Sequence, residues 1–148
     1  MPSIKELAKQ AEEINDQLYT FSRDAFNTAL AAGVVLDEQR DDDGEYVFLP
    51  TKAKYKFDGF EIDSKGIEIK GSVYAGCGDY DYTHIHIPFD YLDNLNGWIE
   101  LKKAEIDAAA QKRADAKTAK EAEEQREIAE AEREQYLALK VKYEGAAQ

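Results

Sequence analysis

The chain has 148 residues, 43% of them hydrophobic and 34% charged, and a formal net charge of −12. That length suits one domain with a modest core, and a field of that sign opposes nucleic-acid backbones and anionic membranes while favouring basic partners. The single cysteine, Cys77, excludes an intrachain disulfide and a four-cysteine zinc site.

No run approaches the roughly 18 apolar residues that cross a bilayer. The first residues lack a basic segment leading into an apolar one, so a cytoplasmic protein is expected. The acidity is uneven: residues 1–50 hold 11 acids and 4 bases, residues 51–98 hold 8 and 5, and residues 99–148 hold 12 and 10. The negative field therefore belongs to the N-terminal half.

Ser3-Ile4-Lys5-Glu6 reads as a capping box, in which the serine hydroxyl accepts from the Glu6 amide and the Glu6 carboxylate reaches back. Ile4, Leu7, Ala11, Ile14, Leu18, Phe21 and Ala25 then recur at alternating steps of three and four. This predicts a helix over about residues 3–32, ended by Gly33 in a left-handed conformation. The stripe fits either a core face or a coiled-coil seam, and the pattern alone does not choose. Val34-Val35-Leu36 and Glu45-Tyr46-Val47-Phe48-Leu49 flank a polar turn and predict a loose hairpin that Pro50 ends.

From residue 52 to 89 the period is two. Lys52, Lys54 and Lys56 alternate with Ala53, Tyr55 and Phe57, predicting a strand with one basic face. The phase slips at Asp58-Gly59, the mark of a bulge or tight turn. Asp63-Ser64-Lys65-Gly66 reads as a turn, followed by Ile67, Ile69, Gly71 and Val73 on one strand face. After the loop Ala75-Gly76-Cys77-Gly78-Asp79, the next strand sets Thr83, Ile85, Ile87 and Phe89 opposite Tyr82, His84 and His86. Short turns between strands predict an antiparallel meander of about four to five strands.

Asp93, Asn94 and Asn96 are available as the N-cap of a second helix, expected over about residues 97–144. Its start and finish carry bulky apolar residues, while residues 107–127 combine alanine with charged and polar residues, the composition of a semi-rigid helical spacer. The resulting fold class is α+β: a long N-terminal helix, an antiparallel meander and a long charged C-terminal helix. Residues 1–96 form the expected helix-plus-sheet domain, and residues 97–148 an extended helix that projects from it or pairs with another subunit.

Chemical motifs are weak throughout. His84 and His86 share a strand face, as paired metal ligands do, but they are the only two histidines and nothing fixes a third ligand. No metal or cofactor is expected. Gly76-Cys77-Gly78-Asp79 lacks the Lys-Ser/Thr ending of a phosphate loop, and no nearby cation lowers the Cys77 thiol. Asp41-Asp42-Asp43-Gly44-Glu45 fails as a calcium loop, because Gln39 and Pro50 stand where the motif needs Asp and Glu. No catalytic residue is assigned, and a non-enzymatic protein is expected.

Two stretches remain as candidate sites. The acidic hairpin residues Asp37, Glu38, Asp41, Asp42, Asp43 and Glu45 suit a basic protein partner. Lys54, Lys56, Tyr80, Tyr82, His84 and His86 are candidates for holding an anionic ligand such as a nucleotide between cations and aromatic rings. The apolar end at Tyr136–Tyr143 points to self-association.

A meander ending in Ile85-His86-Ile87-Pro88-Phe89-Asp90-Tyr91-Leu92, then a charged helix closing with Arg133-Glu134-Gln135-Tyr136-Leu137-Ala138-Leu139-Lys140-Val141-Lys142-Tyr143-Glu144, resembles small bacteriophage-encoded accessory proteins. The resemblance covers about residues 60–144 and carries no catalytic residues. It implies accessory roles such as inhibition of host defence proteins, in the host cytoplasm. The expected function is non-catalytic protein–protein binding. A nucleotide-sequestering module and a structural oligomeric assembly protein are the alternatives.

Overall fold

The computed structural model describes residues 1–146. Helix α1 (Ile4–Ala31) opens on the expected capping box: the Glu6 N–H donates to Ser3 Oγ at 3.2 Å, and the Ser3 N–H donates to Glu6 Oε2 at 2.9 Å. It closes in a Schellman turn, with Gly33 at φ 75, the Gly33 N–H donating to the Leu30 carbonyl and the Val34 N–H to the Ala29 carbonyl. Only the second half of α1 reaches the core, through Ser22, Ala25, Phe26 and Ala29. The first 17 residues of the chain are exposed.

The Schellman turn aims Val34 and Val35 inward, where both are buried. They are core residues, not the start of the hairpin as their β-branching predicts. The first strand is instead β1 (Leu36–Arg40), paired antiparallel with β2 (Tyr46–Pro50) from Leu36↔Pro50 to Arg40↔Tyr46. Pro50 belongs to the last pair of this ladder.

A second sheet carries β3 (Lys56–Ile62), β4 (Gly66–Gly76) and β5 (Asp79–Pro88) in the order β3-β4-β5, all antiparallel. The five strands form two sheets, a two-stranded hairpin and a three-stranded antiparallel meander, and with the two helices they give the expected α+β class. The strand predicted from Lys52 begins only at Lys56. The Ala53 N–H donates to Thr51 Oγ1 at 3.0 Å, a local side-chain turn that withdraws the segment from any ladder. The predicted phase slip is a bulge: pairing passes from Phe57↔Gly71 to Gly59↔Lys70 and leaves Asp58 out. Phe57 and Phe60 thereby face the same side. Cys77 and Gly78 form the two-residue turn between β4 and β5, with φ of 53 and 81, both in the left-handed region that such hairpin turns require.

Phe89–Tyr91 make a single 3-10 turn before helix α2 (Leu95–Ala146). Of the three cap candidates Asn94 is used: its Oδ1 accepts the Gly97 N–H at 3.0 Å. The first turns of α2 deliver Trp98 and Ile99 to the core.

Two compact units result, Met1–Ile106 and a second from Asp107 onward, ten residues beyond the boundary at 96/97 that the sequence pattern predicts. In the first, α1 lies on the inner face of β3-β4-β5 and packs Phe26 and Ala29 with Ile67, Ile69, Ile85, Ile87 and Trp98. Gly71 sits under Phe26, and a Cβ there would run into the Phe26 ring and the Lys56 carbonyl. The second unit is a single helical stretch of about 60 Å at 1.5 Å per residue. Nearly all its side chains are exposed, with pairs such as Gln111–Asp115 and Arg126–Glu123 along it.

Gly71→Ala is expected to destabilise the protein by about 1–3 kcal/mol through overpacking. Gly59→Ala, whose Cβ meets nothing within 4 Å, serves as the control with little change. Chemical denaturation of both variants checks the difference.

Candidate functional site

Strand alternation divides the β1–β2 hairpin into two faces. Asp37, Gln39, Val47 and Leu49 turn inward and are partly buried, while Glu38, Arg40, Tyr46 and Phe48 turn outward and are exposed. The six acids singled out from the sequence are not equivalent once placed. Asp37 is a structural carboxylate: its Oδ1 accepts from Gln39 Nε2 at 2.6 Å, and its Oδ2 accepts from Thr51 Oγ1 at 2.7 Å and the Tyr55 hydroxyl at 3.4 Å. Burial, then the charges of Asp37 and Asp81, hold the Tyr55 phenol above its ordinary value.

Asp41 builds the turn. Its Oδ1 accepts the N–H groups of Asp43 and Glu45 at 3.0 and 2.9 Å, its own N–H donates to the Glu45 carbonyl, and Gly44 supplies φ 80. Glu38, Asp42, Asp43 and Glu45 are exposed, and among the described residues their carboxylates make no hydrogen bond. These four are the acids open to a partner.

The same outward face holds two aromatic rings that the sequence reading did not single out as site residues. Tyr46 is 61% exposed and Phe48 is 65% exposed. Arg40 lies 4.9 Å from the Tyr46 ring centroid and donates to its hydroxyl at 2.7 Å, so the guanidinium is engaged within the face. The signal was present in the alternation of Tyr46-Val47-Phe48-Leu49: period two puts Tyr46 and Phe48 together, and a lone two-stranded sheet leaves one side to water.

The second candidate stretch lies on the outer face of the three-stranded sheet. Tyr80, Tyr82, His84 and His86 stand opposite Tyr74, Ser72, Lys70 and Glu68 on β4. Tyr74 and Tyr80 meet edge to face, 5.5 Å between centroids. Lys56 is opposite Ser72, in the same cross-strand row as Tyr82, whereas Lys54 lies in the loop before β3 and off the sheet. A hollow of about 270 Å³ is lined by Glu68, Lys70, Gly71, Tyr82, Thr83 and His84.

Charge in this face is largely balanced. Lys70 pairs with Glu61 at 3.0 Å, and that partner holds its ammonium above the ordinary value. His86 Nε2 lies 3.0 Å from Asp63 Oδ2 in the β3–β4 turn. Asp63 also accepts the backbone N–H groups of Lys65 and Gly66, which first of all, and with His86 after them, hold its carboxyl below the ordinary carboxylate range. Among the described residues no three His, Cys, Asp or Glu side chains gather as metal ligands would. No helix among them is long and apolar enough to cross a membrane.

No protein-family model, no curated protein and no solved structure matches this chain. The site is therefore read from its own chemistry.

Two outcomes are expected. Asp37→Ala strands the Thr51 and Tyr55 hydroxyls, leaves Gln39 Nε2 only the Pro50 and Leu49 carbonyls, and costs about 1–3 kcal/mol, while Asp42→Asn and Asp43→Asn leave stability nearly unchanged; denaturant midpoints distinguish them. The second concerns acid. A carboxyl lowered in the folded state stabilises above its unfolded value and loses that contribution as pH falls through the folded one. Between about pH 5 and pH 2, stability should therefore fall less steeply in Asp63→Asn than in the parent, as followed by circular dichroism.

Proposed function

We propose that this chain is a non-catalytic binding protein that acts by protein–protein contact, through the outward face and tip of the β1–β2 hairpin. The observation that carries the reading is the grouping of exposed Tyr46 and Phe48 with the open carboxylates of Glu38, Asp42, Asp43 and Glu45. Aromatic side chains are the anchors that dominate interface energies once buried. Surrounding acids steer a basic surface to them and set its register. Steric and electrostatic masking of that surface is the mechanism, and no step requires bond making.

The resemblance to phage accessory proteins gives this reading a setting. A phage-encoded chain of this kind would act in the host cytoplasm, with an Arg- or Lys-rich surface of a host defence protein as its target. Inhibition would follow from occupying that surface.

The nucleotide reading is supported by the hollow beside Tyr82 and His84. It is supported less well than the hairpin, because Lys70 is already paired and Glu61 and Glu68 repel phosphate from the same face.

The test compares proteins retained by the immobilised parent chain with those retained by Phe48→Ala and by the triple variant Asp42→Asn, Asp43→Asn, Glu45→Gln. Asp41 is left intact because it holds the turn. Phe48→Ala should weaken retention at least about tenfold, and the triple variant should flatten its salt dependence. Equal retention by all three chains at low salt would overturn the proposal. Calorimetry against a nucleotide panel separates the alternative, which alone predicts saturable heat.

A further inference from the structure

The stripe on the first half of α1 faces water in the single chain. Ile4 is 81% exposed, Leu7 45% and Ile14 56%, while Leu18 and Phe21 are partly buried at its inner end. In heptad terms Ile4, Ala11 and Leu18 hold the a positions, and Leu7, Ile14 and Phe21 hold the d positions. The flanking e and g positions between Ile4 and Phe21 are Ala8, Gln10, Asn15 and Gln17, all uncharged. Every charged residue of that stretch, Lys5, Glu6, Lys9, Glu12, Glu13 and Asp16, falls at b, c or f.

This placement matters in a chain of net charge −12. Two copies repel, and charges beside a shared seam would make that repulsion local and strong. Neutral flanks remove it, and the acids between Ile4 and Phe21 lie on the side away from the seam. For a foreign helix, charged e and g positions are the usual means of choosing a partner and a direction. Their absence suits a seam that meets its own copy.

The inner end of the seam supplies the complementary shape. A hollow of about 240 Å³ opens there, lined mainly by the apolar side chains of Ile14, Leu18, Phe21, Ile67 and Leu92, with Gln17 and Asp93 at the same lining. In an antiparallel pair the a residues of one helix layer against the d residues of the other. One register uses the whole stripe: Ile4 on Phe21, Leu7 on Leu18 and Ala11 on Ile14, each repeated by symmetry. The most exposed side chain, Ile4, then enters the hollow beside Phe21 of the second copy. Small Ala11 meets large Ile14 next to the two-fold axis, where the helices come closest. A parallel pair would leave both hollows unfilled and would press the two sheet-bearing halves of α1 together at one end.

We infer that α1 is a homodimerisation element, in which residues Ile4 to Phe21 of two copies pack antiparallel with each Ile4 seated in the hollow of the other chain. The interface is isologous and closes on itself. It lies on α1 and is separate from the hairpin face assigned to the outside partner.

Light scattering of the full chain at about 50 μM should give twice the 16.7 kDa chain mass, a value that high salt should not lower, because the a, d, e and g positions from Ile4 to Phe21 carry no charge. Leu7→Glu with Ile14→Glu should restore the single-chain mass and weaken pairing at least about 100-fold. Its helical circular dichroism should be kept, since both residues are exposed in one copy. Direction is read by disulfide formation in a Cys77→Ser background: Leu7→Cys chains mixed with Leu18→Cys chains should link to each other and not to themselves. A parent chain of single mass, a dimer that survives the double glutamate variant, or self-linked Leu7→Cys chains would each overturn the inference.

Discussion

The contact on which the first unit depends is the approach of Phe26 to Gly71. A helix can lie close to a sheet only where side chains on the facing surfaces leave room. Here the room comes from a position with no Cβ in the middle of β4. Phe26, seated over that gap, shares one buried cluster with Ile67 and Ile69 on β4, Ile85 and Ile87 on β5, and Ala25 and Ala29 of the helix. Trp98 and Ile99 complete the enclosure from the start of α2. The enclosure has local costs: Gly71 is a weak strand former, and the Trp98 indole N–H is buried with no hydrogen-bond partner among the described residues.

The same arrangement explains why α1 has two characters. Its second half is fixed by the sheet, while its first half extends beyond the buried cluster with the apolar stripe unbroken. The stripe of the first half runs on to Ala25 and is widened there by Phe26 and Ala29, which the core buries, so the amino-acid pattern allowed a core face and a pairing seam without dividing them. The division comes from where the sheet ends, which is a property of the tertiary fold.

Features set by neighbours in the chain were legible. The Ser3–Glu6 box, the left-handed Gly33, the bulge at Asp58-Gly59 and the Asn94 cap each depend on residues a few positions apart. Errors arose where extended character did not mean a ladder. Val34 and Val35 look like a strand because they are β-branched, yet they fill the core as the chain leaves α1. Lys52 to Tyr55 alternate in exposure without pairing, because Thr51 turns the backbone. The site was legible as an acidic turn, but the roles within it were not. Asp37 is held by Thr51 and Tyr55, 14 and 18 residues later, and no local window shows that.

The alanine-rich stretch after Asp107 has a thermodynamic consequence of its own. Its exposed side chains bury little against other groups, so its helicity rests on intrinsic propensity and on pairs worth a few tenths of a kcal/mol each. Such a helix melts by gradual fraying from its ends, without the sharp transition of a packed core. Its amide protons should trade with solvent deuterium far sooner than those beneath Phe26, and heating should erode helical signal well before the aromatic core loosens. The protein thus joins two kinds of order in one chain, one cooperative and one graded.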